Sequence, residues 1–466
     1  MSPLKHPARM FSLVTTHAGT RLGLSAGTWL LLHSVAGAAE EPTTPTDAAT
    51  ASDAATASDA PAQATKSKDF RTGIGFAGLP LANFSSDDGF GYGVKVAMYD
   101  YGQNQKPYKM QLSVQFFQTT NRVWYHEVYF DAPNFMGTPW RVDSYLKLDR
   151  VLTNNYYGIG NSATIPDMTS YDGLTPEQNE RIYKYYGSFQ KLEPKLILNL
   201  RRSLEGPWKL FNALQVKYTT ITPHSKATLE QYAPEVAGAV DDTWMSYLEE
   251  TKPYGYGGGV VSYLQGGVVF DGRDMEASPN NGIFAEASVR LGYFGGFNAD
   301  DTADHMPAYA GLNLTSRHYW TLLPRTVFAT RIMGDFLFGD VPFFELNNVG
   351  GSRDYSVLGG SSSGRGIPSY SYGGKVKLLF SPELRFTPVE VYAGGTQKIN
   401  VGLVAFSDIG RVWADYASEG SLTDLHVTAG GGLRVAWNDN FLIRLDYGVA
   451  PLENTTGFYL TFNHAF

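Results

Sequence analysis

No cysteine occurs in the 466 residues, so neither a disulfide framework nor thiolate chemistry is open to this chain. Charge is also scarce. Asp, Glu, Lys and Arg make up 18 % of the sequence, against about a quarter in an ordinary soluble domain. The balance is acidic, with a formal net charge of −8 and no basic stripe, which excludes nucleic acid as a general partner. Past the N-terminal region no window offers the ~18 uninterrupted apolar residues that a transmembrane helix requires. There is no H-E-x-x-H and no P-loop, and the nine histidines are scattered, so no metal, nucleotide or other cofactor is expected. Gly360-Ser361-Ser362-Ser363-Gly364 fits the G-x-S-x-G pattern of esterases. That pattern makes a nucleophile elbow only between a strand and a helix. Here it falls in a glycine- and serine-rich connection, so the chain is not expected to be an enzyme.

Glycine and aromatic residues are plentiful: Gly 50, Tyr 29 and Phe 27. At the N-terminus Lys5, His6, Arg9 and Arg21 precede a short apolar stretch that is broken by Ser25, Gly27 and His33 and ends in Ala36-Gly37-Ala38. This is the layout of a cleaved secretory signal, expected over residues 1–38. Residues 39–69 are mostly Ala, Thr, Ser, Asp and Pro with no large apolar residue, and are expected to form a disordered low-complexity linker.

From Phe70 to the end the dominant period is two. In "NFLIRLDYGVA", Phe441, Ile443, Leu445, Tyr447 and Val449 share one face, while Leu442, Arg444, Asp446 and Gly448 share the other. In "IFAEASVRLGYF", Glu286 and Arg290 stand opposite Ile283, Ala285, Ala287, Val289 and Leu291. Long strands with an oily face, a wet face rich in glycine, and aromatics near their ends predict an all-β, antiparallel transmembrane barrel over residues 70–466. About sixteen strands are predicted, starting near 70, 89, 108, 122, 140, 182, 208, 256, 282, 306, 324, 373, 399, 425, 440 and 456. Every second connection is short. The long ones, 152–181, 223–255 and 339–372, alternate with them, as one short-turn end and one long-loop end require. The expected location is the bacterial outer membrane, in contact with its lipid and lipopolysaccharide, with the long loops outside. The chain closes on "GFYLTFNHAF", in which alternation predicts Phe458, Leu460, Phe462 and Phe466 facing lipid as a C-terminal barrel signal, with His464 in the same register.

The run "VPFFELNNVGGSRDY" followed by "LGGSSSGRGIPSYSYGGKVKLLFSPELRF" resembles the C-terminal half of the outer membrane protein 85 superfamily, the bacterial surface antigens with BamA- and TamA-type barrels. The resemblance covers roughly residues 156–466. In that family the sixth extracellular loop folds back into a sixteen-stranded barrel, and an Arg-Gly motif at its tip docks on acidic residues of the inner wall. Arg365-Gly366 matches the loop tip. Phe406, Asp408 and Gly410 match the F-x-D-x-G strand, and Glu383 in "PELRF" matches the acidic position on the strand before it. "DGRDMEASPNNG" resembles a periplasmic turn of the family, and "YYGIGN" another recurrent segment. Where the family has Val or Leu before the Arg and an aromatic after the Gly, this chain has Gly364 and Ile367. Alternation independently turns Glu383 and Asp408 inward. Two carboxylates in a confined lumen need a cation between them, and a guanidinium fork fits carboxylate geometry as an ammonium does not.

The resemblance implies protein insertion or translocation at the outer membrane, with client outer-membrane or secreted proteins as partners. The roughly 30 residues between signal and barrel are too few for one polypeptide-transport-associated domain, so a separate periplasmic partner is a further expectation. A passive channel, and a surface adhesin or structural barrel working through its long loops, are the alternatives.

Overall fold

The computed structural model describes residues 72–466 except 106, 164–170, 172, 277, 299–303, 352–355, 394–396, 417–421, 438–440 and 463. The signal and linker expectations lie outside the described residues. Sixteen strands follow in chain order: β1 Ile74–Ser85, β2 Gly89–Asp100, β3 Met110–Thr119, β4 Trp124–Ala132, β5 Trp140–Asn155, β6 Ser188–Ser203, β7 Trp208–Pro223, β8 Gly259–Asp271, β9 Gly282–Gly296, β10 Ala308–Leu323, β11 Thr326–Gly339, β12 Val376–Ala393, β13 Gln397–Trp413, β14 His426–Trp437, β15 Phe441–Ala450 and β16 Thr455–Phe462. Each pairs antiparallel with its chain neighbours, and β1 meets β16 to close a barrel.

The period-two pattern explains the closure. On β9, Ile283, Val289 and Leu291 are exposed on the outer wall, while Glu286 and Arg290 are buried inside. Phe76, Leu264, Leu403 and Tyr447 likewise stand exposed on other strands. An apolar outer wall around a charged interior is stable only if lipid surrounds it. Among the described residues no helix is long and apolar enough to cross a membrane.

Paired charges line part of the interior. Arg141 donates to Asp131 from Nε at 2.7 Å, Lys195 Nζ is 2.7 Å from Asp149, and Arg201 Nη2 is 3.0 Å from Asp143. At the long-loop end the β5–β6 loop carries α1 Pro176–Tyr186, and the β7–β8 loop carries α2 Lys226–Tyr232, α3 Pro234–Ala237 and α4 Tyr247–Thr251. Ile182 of α1 packs with Leu229, Val236 and Val240, joining the two loops. Thr175 caps α1 by accepting from the Gln178 amide while Gln178 returns the bond to the Thr175 amide, which fixes where the helix starts.

The seam between β1 and β16 is uneven. β1 is paired with β2 along its whole length, from Ile74↔Asp100 to Ser85↔Gly89. Its ladder with β16 holds only Phe84↔Leu460 and Ser85↔Tyr459, reinforced where the Ser86 amide donates to the Phe458 carbonyl at 3.0 Å. β16 has only eight residues. Continuing that register, β16 ends opposite Ala82, so among the described residues Ile74–Leu81 have no strand beside them on that edge. Pro80, within that stretch, has no N–H to offer a neighbour.

Candidate functional site: the docked loop and its lumenal socket

The β11–β12 loop does not extend away from the barrel. Residues 356–367 are mostly buried in the lumen, so the glycine- and serine-rich stretch is folded and enclosed. Its first part is held by α5, Phe343–Leu346. Glu345 of α5 meets Lys217 of β7 at 3.0 Å. Asp335 of β11 accepts from Lys377 at 2.8 Å, from Arg290 at 3.1 Å and from the Gly350 amide at 3.0 Å. Phe343, Phe344 and Leu346 pack on Phe189, Val261 and Phe294 of the wall.

The tip is tight. Gly359 N–H donates to the Ser363 carbonyl at 2.9 Å and Ile367 N–H to the Gly364 carbonyl at 2.9 Å, with Gly359, Gly364 and Gly366 at φ 113°, 57° and 116°. Those left-handed angles are the reason the tip needs glycine. It presents Arg365, which is fully buried. Its Nε donates to Asp408 Oδ2 at 2.9 Å and its Nη2 to Asp408 Oδ1 at 3.2 Å, a two-pronged pair that the Arg365 amide joins at 3.1 Å. Nη1 donates to Glu383 at 2.7 Å and to Asp446 at 3.2 Å. The guanidinium lies 3.4 Å from the centre of the Phe406 ring, within cation–π range. Burial works against the charged guanidinium, but Asp408, Glu383 and Asp446 outweigh it and hold its pKa above the usual arginine value.

The wall is shaped to receive this tip. The Gly366 amide donates to the Tyr459 hydroxyl at 3.3 Å, and its carbonyl accepts from Thr455 Oγ1 at 2.8 Å. A side chain at Gly448 would collide with the Arg365 carbonyl, and one at Gly410 would collide with Leu358. The F-x-D-x-G spacing thus has a physical reason: period two puts all three residues on the lumen face of β13, where Phe406 stacks, Asp408 pairs and Gly410 makes room. The same D-x-G spacing recurs as Asp446 and Gly448 on β15. Asp446, Gly448, Tyr459 and Thr455 were not singled out from the sequence, although that recurrence was a usable signal.

The other recurrent segments have places of their own. In "YYGIGN", Tyr157 packs against the buried cluster that contains Leu358 and Ile367, and the Asn161 side-chain amide donates to the Asp424 carbonyl at 2.7 Å. In "DGRDMEASPNNG", Arg273 forks onto Asp271 at 2.8 and 3.1 Å. Ser362, the serine of the G-x-S-x-G match, lies in the docked loop, where its carbonyl accepts from Arg331 at 2.6 Å. No helix follows it.

The C-terminal expectation is corrected for Phe466 and His464. Phe458 faces outward and is exposed, and Leu460 and Phe462 follow it in register on β16. Ala465 and Phe466 turn inward. Phe466 is buried with Tyr319, Val327 and Ala329 of β10 and β11. The Arg331 and Arg385 guanidiniums lie 4.9 and 5.3 Å from its ring centre. Arg385 also donates to the Phe466 backbone oxygen at 3.2 Å and Arg331 to the Ala465 carbonyl at 3.4 Å. Strand alternation cannot anticipate this, because it assumes that the strand continues to the last residue.

Residues 196–466 match the model of the Omp85 superfamily domain. A sixteen-stranded barrel with an inward loop is the class of protein that the fold defines, and the chain belongs to the Omp85 superfamily as an outer-membrane β-barrel. Among solved structures it is similar to BamA from Haemophilus ducreyi lacking POTRA domains 1–3, at 14 % identity and a TM-score of 0.50, covering 84 % of this chain and 70 % of that one. It is also similar to CdiB from Escherichia coli, at 10 % identity and a TM-score of 0.50, covering 83 % and 62 %. The chain thus spans less than two thirds of that CdiB. No curated protein matches the sequence.

Proposed function

We propose that this barrel inserts or translocates client polypeptides at the outer membrane, working through the β1–β16 seam while the docked loop holds the lumen in shape. The observation that carries the reading is the uneven seam: a wall with long ladders elsewhere has here, among the described residues, just two register pairs, Phe84↔Leu460 and Ser85↔Tyr459, beside the bonds between Ser86 and Phe458. A strand edge with unpaired N–H and C=O groups is a template for an incoming strand. Thr455 and Tyr459 of β16 bind Gly366 of the loop tip, so the loop stabilises one side of the seam directly. Client barrel or secreted proteins, outer-membrane lipid and a separate periplasmic partner belong to this reading.

The test is the outer-membrane and surface proteome of a deletion strain complemented with wild type or with Arg365→Ala. Selective loss of a few barrel or secreted proteins, restored only by wild type, is the expected result. An unchanged proteome would move the assignment to a passive channel or a surface-binding barrel.

A further inference from the structure

Beneath the loop tip, two positions toward the short-turn end, the lumen wall carries more guanidinium than its carboxylates can pair. Arg434 of β14 and Arg444 of β15 are register partners, so two like charges stand side by side on the inner face. Such a pair is destabilising unless an anion lies between them. Asp446 is close to both, but it also accepts from Arg365. Glu383 is likewise divided between Arg365 and Arg385, and Asp408 is taken by the Arg365 fork. Four guanidiniums therefore face three side-chain carboxylates, with the Phe466 backbone oxygen as a further acceptor for Arg385.

The surplus shows atom by atom. Arg434 uses Nη1 for Asp446 and the Leu433 carbonyl, while its Nε and Nη2 have no hydrogen-bond partner. Arg444 gives Nε to Thr461 at 2.9 Å, and its Nη1 is 3.6 Å from Asp446, too far for a hydrogen bond, and has no other partner. Arg385 engages Glu383 and the Phe466 backbone oxygen, leaving Nη1 unpartnered. All three side chains are more than nine-tenths buried, at 4 %, 2 % and 6 % exposure. Burial first, and then Arg385, Arg434 and Arg444, hold the His464 imidazole well below the usual histidine value, against the opposing pull of Glu383. The region is thus positively charged and enclosed.

We propose that Arg385, Arg434 and Arg444 form a lumenal binding site for a phosphate-type oxyanion. Guanidiniums are matched to this group because their planar N–H forks meet its oxygens in pairs. A tetrahedral phosphate presents enough oxygen lone pairs for the unpartnered nitrogens of three side chains, whereas a carboxylate has only two oxygens. The phosphate belongs either to the free anion or to a lipid headgroup. The site stands independently of the insertion reading, since it requires only the lumen as folded.

The experiment titrates the purified full chain, held in a phosphate-free detergent, with inorganic phosphate in one arm and short-chain phosphatidic acid in the other. Binding is followed by ³¹P line broadening and calorimetry. Wild type is expected to bind saturably in at least one arm. The Arg434→Gln/Arg444→Gln double variant is expected to weaken that binding at least ~10-fold, and Arg201→Gln, a lumenal arginine paired with Asp143 elsewhere, to leave it unchanged. Binding in the first arm assigns the free anion, and binding only in the second assigns the headgroup. If the double variant fails to show heat-modifiable migration, Arg434→Lys decides: it keeps the charge but loses Nε, and must still weaken binding. No saturable binding in either arm would overturn the site and leave the nitrogens to water. Equal loss in Arg201→Gln would overturn it as general lumen charge.

Discussion

Arg365 shows why one residue type is needed at the loop tip. Its three nitrogens reach Asp408, Glu383 and Asp446, which lie on three different strands, and only a planar fork points at all three at once. Removing it leaves three buried carboxylates short of their shared cation, and breaking a buried ion pair in this way costs about 3–5 kcal/mol. Arg365→Ala should therefore lower the temperature at which the folded, fast-migrating form is lost on semi-native gels. Arg365→Lys should recover only part of the difference, since it keeps the charge and loses the two-pronged bond to Asp408. Equal behaviour of Lys and Arg would show that charge alone suffices. Gly448 is the steric counterpart. Gly448→Val places a side chain against the Arg365 carbonyl, so the tip should be expelled and residues 358–371 should become sensitive to added protease, with all charges intact. A protected loop in that variant would refute the fit described for the socket.

Among the elements, the β11–β12 loop is fixed at more points than its tip. Beyond Arg365, Ser369 Oγ donates to Asp87 at 2.8 Å, and its amide does so at 3.3 Å. Asp87 and Asp88 form the turn between β1 and β2, so the loop reaches the other side of the seam as well. Burial, and then the neighbouring Asp87, push the Asp88 carboxyl up to about 7, against the opposing pull of Tyr125 and Lys184. A raised carboxyl pKa means that the folded protein holds a proton which the unfolded chain has released. Stability from this group is full below the ordinary value of 3.8 and is lost as pH rises through about 7. Wild type should thus lose thermal stability between pH 5 and pH 8 relative to Asp88→Asn, which has no proton to release there. Parallel curves for the two proteins would rule this out.

These elements differ in how far the sequence announced them. All sixteen strands were legible because period-two alternation is a local signal that the lipid and lumen faces impose on each strand separately. Glu383 and Asp408 were legible as inward-facing from alternation, whereas the place of Arg365 came only through the resemblance of its loop to the family's. Asp446 and Gly448 were placed on the correct face, but their meeting with a loop some 80 positions away depends on how the barrel closes. The inward turn of Phe466 depends on Arg331 and Arg385 of β11 and β12, several strands from β16, and no local pattern carries that information.

For the molecule as a whole, the proposed function requires the wall to part at one place, the β1–β16 seam. β16 ends at Phe462 and Ala465 and Phe466 are buried against β10 and β11, so they do not extend the ladder beside β1. The absence of native cysteine makes this directly testable. Phe84 and Leu460 are register partners across the seam, and Leu433 and Leu445 are register partners within the wall. The decisive measurement is complementation of the deletion strain by Phe84→Cys/Leu460→Cys and by Leu433→Cys/Leu445→Cys, each compared oxidised and reduced. The account predicts that the seam-locked protein fails to restore the outer-membrane proteome until it is reduced, while the wall-locked control restores it in both states. Full restoration by the oxidised seam pair would contradict it.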